Sequence, residues 1–126
     1  MKVDINKATE KITEQIIGSA FEVINELGHG FHEAVYQKAL VHELRSRKLV
    51  VQEQVPFEIL YKETPVGKYV SDIIVGETVV VELKTVEKLA PVHTGQVLNY
   101  LRASHLSVGL LLNFGNPKLE FRRVLL

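Results

Sequence analysis

Apolar residues recur at helical spacing from Asn6 to Leu27, through Ala8, Ile12, Ile16, Ala20, Phe21, Ile24 and Leu27; this is the stripe of an amphipathic helix. Asp4 or Asn6 can cap its start and Gly28 can end it. After the break GHG (Gly28–Gly30), the segment from Phe31 to Lys48 predicts a second helix, with Phe31, Val35, Ala39, Leu40 and Leu44 as its apolar stripe. Arg45, Arg47 and Lys48 in its last turn suit the negative end of the helix dipole. The period then changes. VVQEQVPFEILYK (50–62) alternates as a strand, and Pro56 argues for an edge position or a bulge. ETPVG (Glu63–Gly67) has turn chemistry. KYVSDIIV and TVVVELKTV predict two further strands joined across Gly76 and Glu77. Pro91–Ser104 reads as a helix with Val97, Leu98 and Leu101 on its apolar side. VGLLLNF (Val108–Phe114) is a strand apolar throughout, expected to be central and covered on both faces. GNPK turns the chain into a last, edge strand, LEFRRVLL. The order α-α-β-β-β-α-β-β predicts an α/β fold, a mixed sheet flanked by helices.

Charges interrupt the most apolar of these strands. Asp72, Glu82 and Lys84 lie within SDIIVGETVVVELKTV, where an unpaired buried charge costs several kcal/mol. Alternation puts Glu82 and Lys84 on one face with Val80. That face can be solvated, with the two as a surface ion pair. Asp72 depends on register. A two-residue loop, Gly76–Glu77, pairs Asp72 with Val81 and turns it away from Glu82. A three-residue loop, Gly76–Thr78, or a bulge sets Asp72 opposite Glu82, with Cβ atoms about 5 Å apart. Two carboxylates so placed repel unless a divalent cation lies between them, and Mg²⁺ is commonly held by one or two carboxylates plus water and phosphate. Lys84 beside such a site can orient water and offset charge developing on a phosphodiester.

Composition narrows the chemistry. The 126 residues, 46% hydrophobic and 24% charged, are expected to form one domain over residues 1–126. With no cysteine, disulfides, thiolate zinc sites and iron–sulfur clusters are excluded. The opening MKVDINKATEKI has no apolar signal segment, and no apolar run reaches the ~20 residues of a membrane span. A cytoplasmic protein without membrane contact is expected. The formal net charge of zero means that any nucleic-acid contact must come from a local patch.

Asp72, nine residues, then Glu82-x-Lys84 resembles the PD-(D/E)XK phosphodiesterase core, with Ser71 in place of the proline. GFHEAVY (Gly30–Tyr36) fits G-x-x-E-x-x-Y, the motif of the GxxExxY family, and Gln96-x-x-x-Tyr100 looks like the Q-x-x-x-Y motif of RecB-type nucleases. The resemblance runs from about Ile16 to Arg123 and implies a restriction-endonuclease-like core and a Mg- or Mn-dependent nuclease acting on DNA. It implies Asp72 and Glu82 as metal ligands, Glu33 reaching the metal directly or through water, and Lys84 as the water-orienting residue. Gln96 would position water or phosphate; Tyr36 and Tyr100 would support the site. Ser71 carries no chemistry in that scheme.

Other patterns yield less. His32-Glu33 and His42-Glu43 begin like H-E-x-x-H, but Tyr36 and Ser46 occupy the second histidine position, so no zincin site is expected. No phosphate loop of the G-x-x-x-x-G-K-S/T type occurs. Lys88, between the E-x-K strand and the Gln96 helix, and His93, three residues before Gln96, are the candidates for phosphate contact. A fold-retaining accessory protein that does not cleave is the alternative. A structure-selective resolvase would require a homodimer.

Overall fold

The computed structural model describes residues 6–126; Asp4, the other candidate cap, lies outside them. Helix α1 (Lys7–Leu27) starts where Asn6 Oδ1 accepts the Thr9 N–H at 2.8 Å and ends at Gly28, whose N–H still closes on the Ile24 carbonyl while its φ of 75° turns the chain out of the helix. Helix α2 (Glu33–Ser46) begins two residues later than the stripe suggests, with His32 at the N-cap. Its buried side is Tyr36, Leu40, Val41 and Leu44, whereas Phe31 and Val35 are exposed. The stripe is displaced because the chain before Glu33 is not yet helical, and Tyr36, absent from the apolar stripe, goes inside with Leu40 and Leu44.

Five strands follow, β1 (Val51–Tyr61), β2 (Thr64–Val75), β3 (Val79–Lys84), β4 (Val108–Asn113) and β5 (Glu120–Leu125), with helix α3 (Pro91–Ser104) between β3 and β4. They form one sheet in the order β1-β2-β3-β4-β5, antiparallel except for the parallel pair β3–β4 that the α3 crossover permits. The order α-α-β-β-β-α-β-β and the mixed sheet are those of a restriction-endonuclease-like α/β fold. Pro56 lies on an edge strand, and β4 is buried along its whole length. One face of the sheet packs on α1 and α2 through Ile16, Tyr36, Leu40, Ile73, Val81, Leu83 and Leu112. The other packs on α3 through Ile74, Val80, Val97, Leu101 and Leu111. Seating α3 needs a glycine at 109, where a Cβ would stand 2.6 Å from Val97 Cγ1. No helix among the described residues is long and apolar enough to cross a membrane.

Two features of the hairpins depart from the sequence pattern. ETPVG is not the turn: Thr64–Gly67 belong to β2, and the chain reverses through Lys62 and Glu63, both with positive φ (46° and 69°). An irregularity at Ile59/Leu60 absorbs the extra residue, and solvent on the exposed edge tolerates Pro65. The β2–β3 loop is Gly76–Thr78, three residues, since Val75 pairs with Val79. That settles the register that sequence left open.

Midway along β1 and β2 the regular pairing fails at one position. Glu53 pairs with Ile73 and Val55 with Ser71, but Gln54 and Asp72 between them form no bridge, and Gln54 is left-handed at φ 48°. The faces exchange there. Val51, Ile73 and Val75 point into the α1/α2 core, whereas Val55 and Phe57 pack on the α3 side and Tyr69 meets Tyr100. An unbroken strand would keep all these odd-numbered residues on one face.

Candidate active site

The β2–β3 ladder stops at Ile73–Val81. Asp72 and Glu82 come next in register, and their side chains replace the backbone bonds of the missing rung. Glu82 Oε1 accepts the Asp72 N–H at 3.1 Å, and Asp72 Oδ2 accepts the Leu83 N–H at 3.0 Å. Ser71 Oγ adds a bond to Glu82 Oε1 at 3.2 Å. The residue that stands in place of the proline therefore helps hold the Glu82 carboxyl in position. Glu82 is 4% exposed. Burial first, then the Asp72 carboxylate beside it, push its carboxyl up to about 9. Two acids face each other across a fork in the sheet.

Three elements converge on this fork. Lys84, half-buried, ends β3, and its carbonyl accepts the Phe114 N–H. Glu33 opens α2. Although exposed, its carboxyl is raised, chiefly by loss of water; Lys84 and His93 pull it down while Asp72 pushes it up. That places Lys84, Asp72 and His93 within electrostatic reach of Glu33. His93 also secures the start of α3, its Nδ1 accepting the Ala90 N–H at 2.9 Å. Tyr100, on α3, is half-buried, and its hydroxyl is pushed up to about 12 by burial, with Glu82 and Asp72 adding to it. Gln96 lies one turn before Tyr100 on the same face, exposed and without a hydrogen bond among the described residues.

Tyr36 is a latch. Its hydroxyl donates to the Gly28 carbonyl at 2.7 Å and accepts the Phe31 N–H at 3.1 Å, while its ring stacks on Phe114 at 4.5 Å. Gly30, at φ 93°, gives its N–H to the Phe114 carbonyl. The G-x-x-E-x-x-Y spacing thus has a local physical meaning. Glycine and tyrosine fix the chain entering α2, and the glutamate between them is presented at the fork.

Lys88 lines an open cleft with Glu87, Asn116, Lys118, Leu119 and Glu120, a lining that includes none of the acids of the fork.

Sequence reasoning missed the residues that hold Asp72. Gln37 Nε2 donates to the Asp72 carbonyl at 3.4 Å and Gln54 Nε2 to Gln37 Oε1 at 3.0 Å, so a side-chain pair takes over where the β1–β2 ladder lapses. Gln37 is four residues after Glu33, a helix-face signal that was present. Gln54 gave none, because its importance comes from a backbone conformation.

Among the described residues no three His, Asp or Glu groups stand close enough together to hold a metal by themselves. The donor set is two opposed carboxylates with a third at the mouth. It fits a hard divalent cation that takes one or two carboxylates and keeps several waters.

Residues 10–124 match the PD-(D/E)XK nuclease superfamily. The chain belongs to that superfamily, whose members are nuclease-type hydrolases and commonly use divalent metals. No curated protein and no solved structure matches it.

Proposed function

We propose that the chain, read as one domain over residues 1–126, is a Mg- or Mn-dependent nuclease of the GxxExxY kind that hydrolyses phosphodiester bonds in DNA. The single observation that carries this is the opposition of Asp72 and Glu82 at the end of a ladder, where each takes a backbone N–H of the other strand. Asp72 and Glu82 would hold the ion, with Glu33 contributing directly or through water. A bound divalent ion supplies Lewis-acid charge to the reacting phosphate. Lys84 orients the attacking water in line with the leaving oxygen and offsets the charge that develops on phosphorus. Gln96 positions water or phosphate, Tyr100 supports it from the next turn, and His93 and Lys88 meet flanking phosphates.

Glu82 and Lys84 sit two residues apart on one strand, so acid and ammonium approach the same point. A buried pair of acids weakens a protein that merely binds; that favours an enzyme over an accessory protein that no longer cuts. For a homodimer acting on branched DNA, Phe21 and Phe121, both exposed and edge to face at 6.2 Å, supply an apolar surface on α1 and β5.

Incubation with plasmid and single-stranded DNA in Mg²⁺, Mn²⁺ or EDTA, beside a Lys84→Ala control, tests the activity. Metal-dependent cutting lost in Lys84→Ala is expected. Cutting that survives in Lys84→Ala belongs to a contaminant, and no cutting with no detectable metal binding leaves the accessory protein.

A further inference from the structure

A second recess lies beyond the fork, a cavity of about 560 Å³ between the distal half of the β1–β2 hairpin and the C-terminal half of α3. Ile59 and Val66 give it an apolar lining, Lys68 and Arg102 give it positive charge, and His105 adds a donor. Glu58, across the ladder from Lys68, is its one acid. Neither Lys68 nor Arg102 forms an ion pair among the described residues. In a chain of zero formal net charge this is a local cationic surface.

An aromatic residue joins the recess to the fork. Tyr69 lines the recess, is 36% exposed, and meets Tyr100 edge to face at 5.1 Å. Asn99 Nδ2 donates to the Tyr69 hydroxyl at 3.4 Å, and Arg102 NH1 donates to Asn99 Oδ1 at 3.0 Å, so ring and cation are held together. Tyr100 in turn feels both acids of the fork. The lapse at Gln54 and Asp72 makes this path possible. Without it Tyr69 would share the α1/α2 face with Ile73, away from α3.

We propose that this recess carries an unpaired nucleic-acid strand away from the acidic fork, one base stacking on Tyr69 and phosphates drawn to Lys68 and Arg102. The proposal rests on the nuclease reading and adds its substrate class: single-stranded ends, gaps or flaps, rather than uninterrupted duplex. A base inside a duplex has both faces covered by its neighbours and cannot stack on a side chain, whereas cationic grooves with aromatic platforms hold single strands.

The test is fluorescence anisotropy in EDTA, where nothing is cut, with a labelled thymidine-rich single strand and a closed-end duplex of equal length. The single strand is expected to bind roughly tenfold tighter than the duplex. Tyr69→Ala should weaken single-strand binding roughly tenfold, and Tyr69→Phe should retain it. Lys68→Ala/Arg102→Ala, which changes only exposed residues, should lower the slope of log affinity against log salt by roughly one. Equal affinity for the two forms, no single-strand binding, or single-strand binding indifferent to both Tyr69→Ala and the double variant overturns the proposal. Cleavage is not read, so the outcomes separate. A protein that binds through Tyr69 but never cuts removes the nuclease reading alone, and one that cuts but ignores Tyr69 removes the track alone.

Discussion

Two glutamates sit in polar clusters on this sheet, and their surroundings are opposite. Glu120, on β5, is met by donors: its Oε1 accepts Asn113 Nδ2 and the Leu89 N–H, both at 3.0 Å, with Arg122 and Lys88 nearby. Its carboxyl is lowered, chiefly by the Asn113 bond. Asn113 is fully buried and uses all four of its hydrogen-bonding positions, on Val86 N–H, Val86 C=O, Gly115 N–H and Glu120. That cluster is electrostatically complete, and it ties the β3–α3 connection to the sheet. Glu82 is met by burial and another acid, and its carboxyl is raised. The first cluster is a clamp. The second sets an acid out of water beside another acid, and its carboxyl rises instead of falling.

The contrast breaks most visibly at Lys84. Lys84→Ala should reduce metal-dependent DNA cleavage by about a hundredfold or more while thermal unfolding stays near wild type. A variant that loses stability but keeps activity would make Lys84 part of a clamp too.

The pH dependence separates the glutamates by sign. Between the ordinary carboxyl value of 4.5 and about 9, native Glu82 keeps a proton that the unfolded chain has released. Stability in metal-free buffer should therefore fall as pH rises through that window, by on the order of a few kcal/mol. Denaturant titrations at pH 5 and 9 measure it, and Glu82→Gln should flatten the trend. Glu120 has the opposite sign: with its carboxyl lowered, its stabilising effect is present above 4.5 and lost as pH falls below.

Asn113→Ala should cost about 2–3 kcal/mol in denaturant unfolding, since it strands buried partners on Val86 and Glu120. Tyr36→Phe should cost about 1 kcal/mol by freeing the Gly28 carbonyl and the Phe31 N–H, and should lower activity by loosening Glu33. The smallest effect is the sharpest. Asp72→Asn should stabilise the metal-free protein by about 0.5–1 kcal/mol, because it relieves the repulsion at Glu82. A clear loss on thermal melting would place Asp72 in a clamp like Asn113 and remove the case for a shared cation.

Much of the fold was legible because burial imposes period. The helix from Asn6 to Leu27 and the doubly covered strand β4 write their surroundings directly into their spacing. Asp72, Glu82 and Lys84 stood out because charge among valines is costly, and Glu33 through the family motif. Tyr36 was legible only through the family motif, as a residue supporting the site, and its full burial against Phe114 came from the packing. Pro65 and Gly67 suggested a turn that solvent on an exposed edge allowed to remain strand. Ser71, Gln37 and Gln54 matter through distances that no spacing encodes.

By itself the sequence determined the element order and singled out the charged residues that interrupt the apolar strands, because these follow from local period and side-chain type. Tertiary structure alone decided that the loop has three residues and that Asp72 therefore faces Glu82. It also decided that the strand changes face at Gln54 and brings Tyr69 onto α3. A one-residue change in register moves every side chain to the other side, and register is fixed by packing between strands and helices far apart in the chain.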